Sequence, residues 1–433
     1  MSTFQHMNFI VNYNRADYST LRFTEHDRQV LRNLAGEVAE LAVRPEMERK
    51  KALWYAHNAL ETTEPVLLCD PENGWNEIIT DDVLLCTNSI ARHWETYLRK
   101  LVFWGNEMGD DFVVEPYFDV PHIFRETPWR VGGNEHVQTD KAYDSGGGAY
   151  HIDTILDNYE EQFDRIIQPE LLIDWDLSKK MLEIGQELFG DILTVRQKTW
   201  WFWSFGLTDE FAFLRGMGNL FMDLVDVPDQ VHRLMDMLCS FFSRRFDYLE
   251  EHNLFSLNND GTYVGSGGMG FCRELPGEGY DGTVRTKNLW GLSESQITVG
   301  VSPEMFAEFI FPYQKRLMER FGLTSYGCCE PLDDRIEIIR QVSNLRRVSV
   351  SPWAGKEIMA ERLGRDYIFS SKPQPSYLAT PVMDRDSAEK EAKDILRTAR
   401  NSVLEMIMKD NHTLGNNPKN LTDWVAMIRR LMP

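Results

Sequence analysis

The chain is poor in cysteine. Cys69, Cys86, Cys239, Cys272, Cys328 and Cys329 are spread over 433 residues, too sparsely for a disulfide-stapled scaffold. Nothing at the N-terminus resembles a signal peptide, and charge interrupts every apolar run, so neither export nor a bilayer span is expected. Positive charge is also scarce: 46 Lys and Arg stand against 67 Asp and Glu, a net charge of −21. Such a surface repels nucleic-acid backbones and anionic membranes. It suits a protein of the reducing cytoplasm that meets a small molecule or a partner with a basic patch. No repeat of fixed period and no low-complexity tract occurs. Core material is plentiful. Hydrophobic residues make up 42%, enough for one large embellished barrel or for two domains.

Apolar spacing over Ala35–Val43 and Met47–Leu60 predicts helices, and residues 1–62 read as an N-terminal helical extension. From residue 63 short β-rich runs alternate with helices. The candidate strands are 65–69, 112–116, 192–196, 255–259, 289–293, 323–328, 347–351, 367–371 and 403–408. Ser302-Pro303-Glu304 is a strong helix start, and Pro312 is expected to kink that helix. Strand–helix alternation over eight or nine units argues a parallel sheet closed as a (β/α)8 barrel over residues 63–433. Residues 119–190, rich in Gly, Asp and aromatics, read as a rim insertion.

Cys328-Cys329-Glu330 ends the run Leu323–Gly327 and precedes Pro331, which is expected to open a helix through Ile339. Strand carboxyl ends are where barrel chemistry sits. Two thiolates and a carboxylate there are soft metal ligands, with zinc the leading metal; two structural core cysteines are the bland alternative. Other strand ends add candidates. Glu294 is a general base, a metal ligand or a loop hydrogen bonder. His412, near the last strand, is a ligand or a structural histidine. Asn259 and Asp260 are a catalytic polar pair or an ordinary Asp-Gly turn. Trp200, Trp201 and Trp203 are expected to bind substrate as an aromatic wall or to pack the loop, and Lys372 to hold an anion or to be solvated. Gly265-Ser266-Gly267-Gly268-Met269-Gly270 lacks phosphate-loop spacing and reads as a flexible rim loop; Gly146-Gly147-Gly148 reads as a hinge or turn.

The order of elements, best from residue 289 onward, resembles the uroporphyrinogen decarboxylase superfamily of (β/α)8 barrels. The resemblance rests on Ser302–Phe309 with Pro312-Tyr313, the Cys328 segment, the Lys372-Pro373 turn and the final strand before Asn417-Pro418. The Arg-Gln-Ala-Gly-Arg segment of the decarboxylases is absent. Trp54–Leu60 and Cys69–Gly74 stand in that region, so haem-pathway decarboxylation is not expected. The other branch moves methyl groups to or from corrinoid proteins with zinc, using His-x-Cys after one strand and Cys after the last. Here Tyr326-Gly327-Cys328, followed by Cys329, takes the first position, and Asp410-Asn411-His412 lies near the second. The resemblance thus implies a zinc site drawn from Cys328, Cys329, His412 and Glu330 or Glu294. It implies transfer of a methyl group from a methoxy-aromatic or methylamine-like donor to a corrinoid on a partner protein. A metal-independent lyase or decarboxylase of a small or aromatic acid, and a non-catalytic corrinoid- or tetrapyrrole-binding barrel, remain open beside it.

Overall fold

The computed structural model describes residue 18 and residues 20–61, 64–132, 136–137, 140–142 and 150–432. Gly146-Gly147-Gly148 lie outside the described residues. Two helices come first, α1 (Glu25–Ala42) and α2 (Pro45–Asn58). Thr24 caps α1 with a reciprocal bond to Asp27, and proline opens α2, as their sequences require. The strands of the main framework are β1 (Val66–Cys69), β2 (Tyr117–Val120), β3 (Thr194–Gln197), β4 (Trp290–Ser293), β5 (Leu323–Tyr326), β6 (Leu345–Val350), β7 (Ile368–Ser371) and β8 (Val403–Met408). Six form one parallel sheet in the order β1-β8-β7-β6-β5-β4, and β3 pairs with β2 in a separate parallel ladder. The strands of the six-stranded sheet are almost wholly buried, the expected state of parallel strands covered on both faces.

Seven of the nine candidate strands overlap a strand of this framework. Residues 255–259 form no strand because the Asn258 side chain takes over the ladder bonds. Its Oδ1 accepts from Trp290 N–H at 2.9 Å and its Nδ2 donates to Trp290 O at 3.0 Å. Residues 112–116 likewise give way to β2, which begins at Tyr117. Just upstream, Asp110 and Asp111 serve the free edge of β1. Asp111 N–H donates to Leu67 O, while Leu67 and Cys69 N–H donate to the two carboxylates at 2.8 and 2.9 Å. Both edges of the sheet are therefore closed by side chains instead of offering an open ladder. The helix expected from Pro331 is shorter, Ile336–Ile339, and the Ser302 helix breaks at Ile310 beside Pro312.

The 119–190 region holds small antiparallel ladders, such as Ile123–Glu126 with Leu171–Asp174. The helix Trp175–Phe189 then leads into β3.

The glycine-rich segment is not a flexible rim loop. Residues 264–272 are buried, and Asn58 Nδ2 donates to the carbonyls of Met269 and Phe271 at 2.8 and 2.9 Å. The glycines allow close approach to the sheet. A Cβ on Gly268 would lie 2.8 Å from Arg347 Cζ, and one on Gly270 would overlap the carbonyl oxygen of Asn258. Gly270→Ala should cost about 2–3 kcal/mol in urea unfolding, because backbone must move. Gly218→Ala, on an exposed helix position with nothing within 4 Å, should change stability by under about 1 kcal/mol. Residues 264–272 thus form a glycine plug against the sheet, and equal effects at the two positions would contradict it.

Candidate active site

The carboxyl ends of the strands gather ionisable groups. After β5, Gly327 adopts φ +91°, a left-handed turn that suits glycine. It presents Cys328 and Cys329 with their sulfurs 3.3 Å apart. Glu330 turns back to accept Cys328 N–H at 2.9 Å and Ser295 N–H at 2.8 Å, while Ser349 Oγ donates to Cys328 O at 2.8 Å. These three bonds fix the cysteine turn. From the end of β8, Lys409 brings its ammonium 3.4 Å from Cys328 Sγ and 3.7 Å from Cys329 Sγ, bonded also to Asp410 at 2.8 Å. Cys329 Sγ lies 3.2 Å from Asp410 Oδ2. The hydrogen bond from Cys329 and the Lys409 charge push the Cys328 thiol down to about 7, and Cys329 is correspondingly pushed up. Cys329 has a single S–H to share between Cys328 and Asp410, so we give Lys409 the larger part in holding a Cys328 thiolate.

A pair of carboxyl groups lies nearby. Glu294, at the end of β4, is buried and pushed well above the usual carboxylate range, first by burial and then by Asp209 and Glu330. Asp209, in the first turn of helix Thr208–Arg215, is raised to about 7 by burial and by Glu210. Gln314 clamps the backbone here: its Nε2 donates to Gly206 O at 2.6 Å and Glu294 O at 2.8 Å, and its Oε1 accepts from Tyr326. A Cβ on Gly206 would come within 2.5 Å of Glu294 Oε1, so only glycine fits over that carboxyl.

A cavity of about 320 Å³ is lined by Trp200, Trp203, Tyr263, Trp290 and Leu292, and also by Lys100, Glu115, Asp119, Arg196 and Lys198; Glu294, Asp209, Cys328 and Cys329 are not part of its wall. Trp203 and Leu292 also pack on Cys328, with Trp200, Tyr263 and Cys329 against them. Cavity and thiols are therefore neighbours. Trp201 also lines the cavity, with its indole N–H donating to Leu254 O at 2.9 Å.

The remaining candidates divide. Lys372 is buried after β7, bonded to Ser370 Oγ, and lowered to about 7 by burial. Asp260 is committed to ion pairs with Lys198 and Arg196 at 2.9 and 3.0 Å. Burial raises its carboxyl, but these cations more than offset that and hold it at about 2. It is a poor proton carrier near neutral pH. Asn259 donates to Leu275 O at 2.7 Å, a loop-bracing bond. His412 is exposed, with Nδ1 3.4 Å from Asn73 Nδ2.

The residues do not fit the expected zinc site. Glu330 is bonded to backbone amides, and His412 faces Asn73. Lys409 supplies positive charge to both sulfurs. Among the described residues no three His, Cys, Asp or Glu side chains form a metal-binding group. Lys409 and Asp209 join the candidate site although no sequence motif singles them out, and Asp410 joins it from the Asp410-Asn411-His412 segment in place of His412. Lys409 and Asp410 follow β8 directly, and the strand-end rule applied one residue at a time finds them. Asp209 follows no strand and carries no such signal.

No family model and no curated protein matches the chain. Among solved structures, a methyltransferase from Methanosarcina mazei is similar at a TM-score of 0.35 and 11% identity, over 61% of this chain and 72% of that one. No helix among the described residues is long and apolar enough to cross a membrane.

Asp209 gives a pH test. With its carboxyl raised to about 7, the native state keeps a proton that the unfolded chain loses near pH 4. Stability therefore falls as pH rises through that window. Asp209→Asn should flatten the fall and leave the variant more stable than wild type at pH 8, by on the order of 1–3 kcal/mol. Parallel stability curves across the window would contradict a protonated Asp209.

Proposed function

We propose that the protein is an enzyme that moves a methyl group from a small methylated substrate to a corrinoid acceptor on a partner protein. The donor is methoxy-aromatic or methylamine-like. We further propose that the six-stranded sheet and the β2–β3 pair are two arcs of one (β/α)8 barrel. Curvature supports this: the short 265–268 segment lies at once against Ser325 on β5, Arg347 on β6 and Ile407 on β8.

The observation that carries the functional reading is a pair of buried carboxyl groups, Glu294 and Asp209, close to a thiol whose packing partners Trp203 and Leu292 also line an aromatic cavity. A ring stacks on tryptophan walls. Loss of a methyl group leaves its heteroatom electron-rich, and a buried carboxylic acid that keeps its proton near neutral pH supplies it as the bond breaks. In this reading Glu294 protonates the leaving oxygen or nitrogen, Asp209 restores that proton, and Trp200 and Trp203 orient the ring. No metal step is required. One observation favours the lyase reading instead: Lys372 and Lys409, on adjacent strands, would hold a carboxylate.

Incubating the protein with chemically reduced cobalamin and a panel of methoxy-aromatics and methylamines should yield methylated corrinoid. Glu294→Gln should lower the rate by about 100-fold or more with little change in KM. Release of carbon dioxide from an aromatic acid, with no methyl transfer from any donor, would replace this function with the lyase.

A further inference from the structure

The adjacent thiols carry an inference that does not depend on methyl transfer. We propose that Cys328 and Cys329 form a two-sulfur capture site for a soft, three-coordinate electrophile, of which an organic trivalent arsenical is the chemical class.

Their sulfurs are 3.3 Å apart on a turn braced from three sides: Glu330 on the Cys328 amide, Ser349 on its carbonyl, and Gly327 in the left-handed region. Cys329 is partly exposed, so the pair can be reached from outside. Two sulfurs at this separation can meet the same third atom without moving far. Closing them on each other is harder. A disulfide needs an S–S distance of about 2.05 Å and prefers Cα atoms about 4.4–6.8 Å apart, whereas adjacent residues hold theirs at about 3.8 Å. The geometry therefore favours bridging by an inserted atom over self-oxidation. The third position on that atom carries an organic group. Trp200, Trp203 and Tyr263, packed around the cysteines, form an apolar face for it. Lys409 between the sulfurs and Asp410 beside Cys329 supply the polar rim from which protons leave.

The step balances without redox change. Hydrated phenylarsine oxide carries two hydroxyl groups on arsenic. Each sulfur–arsenic bond forms as one hydroxyl departs with the thiol proton as water, so two waters leave and arsenic stays trivalent.

The test uses phenylarsine oxide as the probe on the full chain, read by intact mass and by tryptophan fluorescence. One phenylarsenic group per chain is expected, removed by excess dimercaptopropanol but retained in a tenfold higher concentration of a monothiol. Cys328→Ser and Cys329→Ser should each weaken retention more than tenfold, and the double variant should bind none. Cys329→Ser should keep the wild-type tryptophan fluorescence and urea unfolding midpoint, which shows that the fold is intact. An adduct that survives Cys329→Ser, or that a monothiol strips from wild type, would overturn the two-sulfur site. Since the readout is mass and not turnover, either result leaves the methyl-transfer assay to be decided separately.

Discussion

A carboxylate shut away from water organises this fold. Glu405, in the middle of β8, has no exposed surface. It lies 3.0 Å from His57 Nε2 on α2 and 2.9 Å from Arg347 Nε on β6, and accepts from Ser370 on β7. Burial alone would raise its carboxyl, but Arg347, His57 and Lys372 more than offset that and hold it at about 2. A buried ion without such partners costs several kcal/mol. Register on three neighbouring strands and the seat of α2 therefore depend on one another. Arg347 extends the network to Asn58, and Asn58 holds the glycine plug through Met269 and Phe271.

The same constraint reaches the candidate active site through the two-residue period of a strand. Glu405, Ile407 and Lys409 fall on one face, so fixing Glu405 aims Lys409 at the cysteine turn. Ser370 and Lys372 repeat the relation on β7. The thiols thus receive their positive charge from a residue whose placement is set lower in the sheet. In a protein of net charge −21, Arg347 and Lys409 are buried opposite Glu405 and the thiol pair, while Glu294 and Asp209 crowd the same end by keeping their protons.

Much of this is legible in the sequence. Short β-rich runs mark seven strands to within two residues at their starts, and Ser302-Pro303 marks its helix. Glu294 and Cys328 stand out because strand ends are where side chains converge. The departures have physical causes. Residues 255–259 have strand composition, but Asn258 uses its side chain where a strand uses backbone. Glycines that suggest mobility in a sequence are, at 265–270, what lets backbone press against Arg347 and Ile407. His412 attracts a ligand assignment because histidine is the usual metal partner. A lysine three residues earlier, which carries its own charge, is easily passed over because pairing with a thiol across three strands leaves no local pattern.

The central claim is that an ammonium, Lys409, holds the charge of the thiol pair. Thiolate absorbance in the ultraviolet tests it most directly as pH is varied. Burial pushes the other thiols up, Cys69, Cys86, Cys239 and Cys272 alike, and Cys329 is raised by its neighbour. One thiolate per chain should therefore appear with a midpoint near pH 7. It should move upward by about one unit or more in Lys409→Met, a tenfold change in ionisation. An unmoved midpoint in that variant, or a thiolate present at every pH together with one zinc per chain, would contradict it.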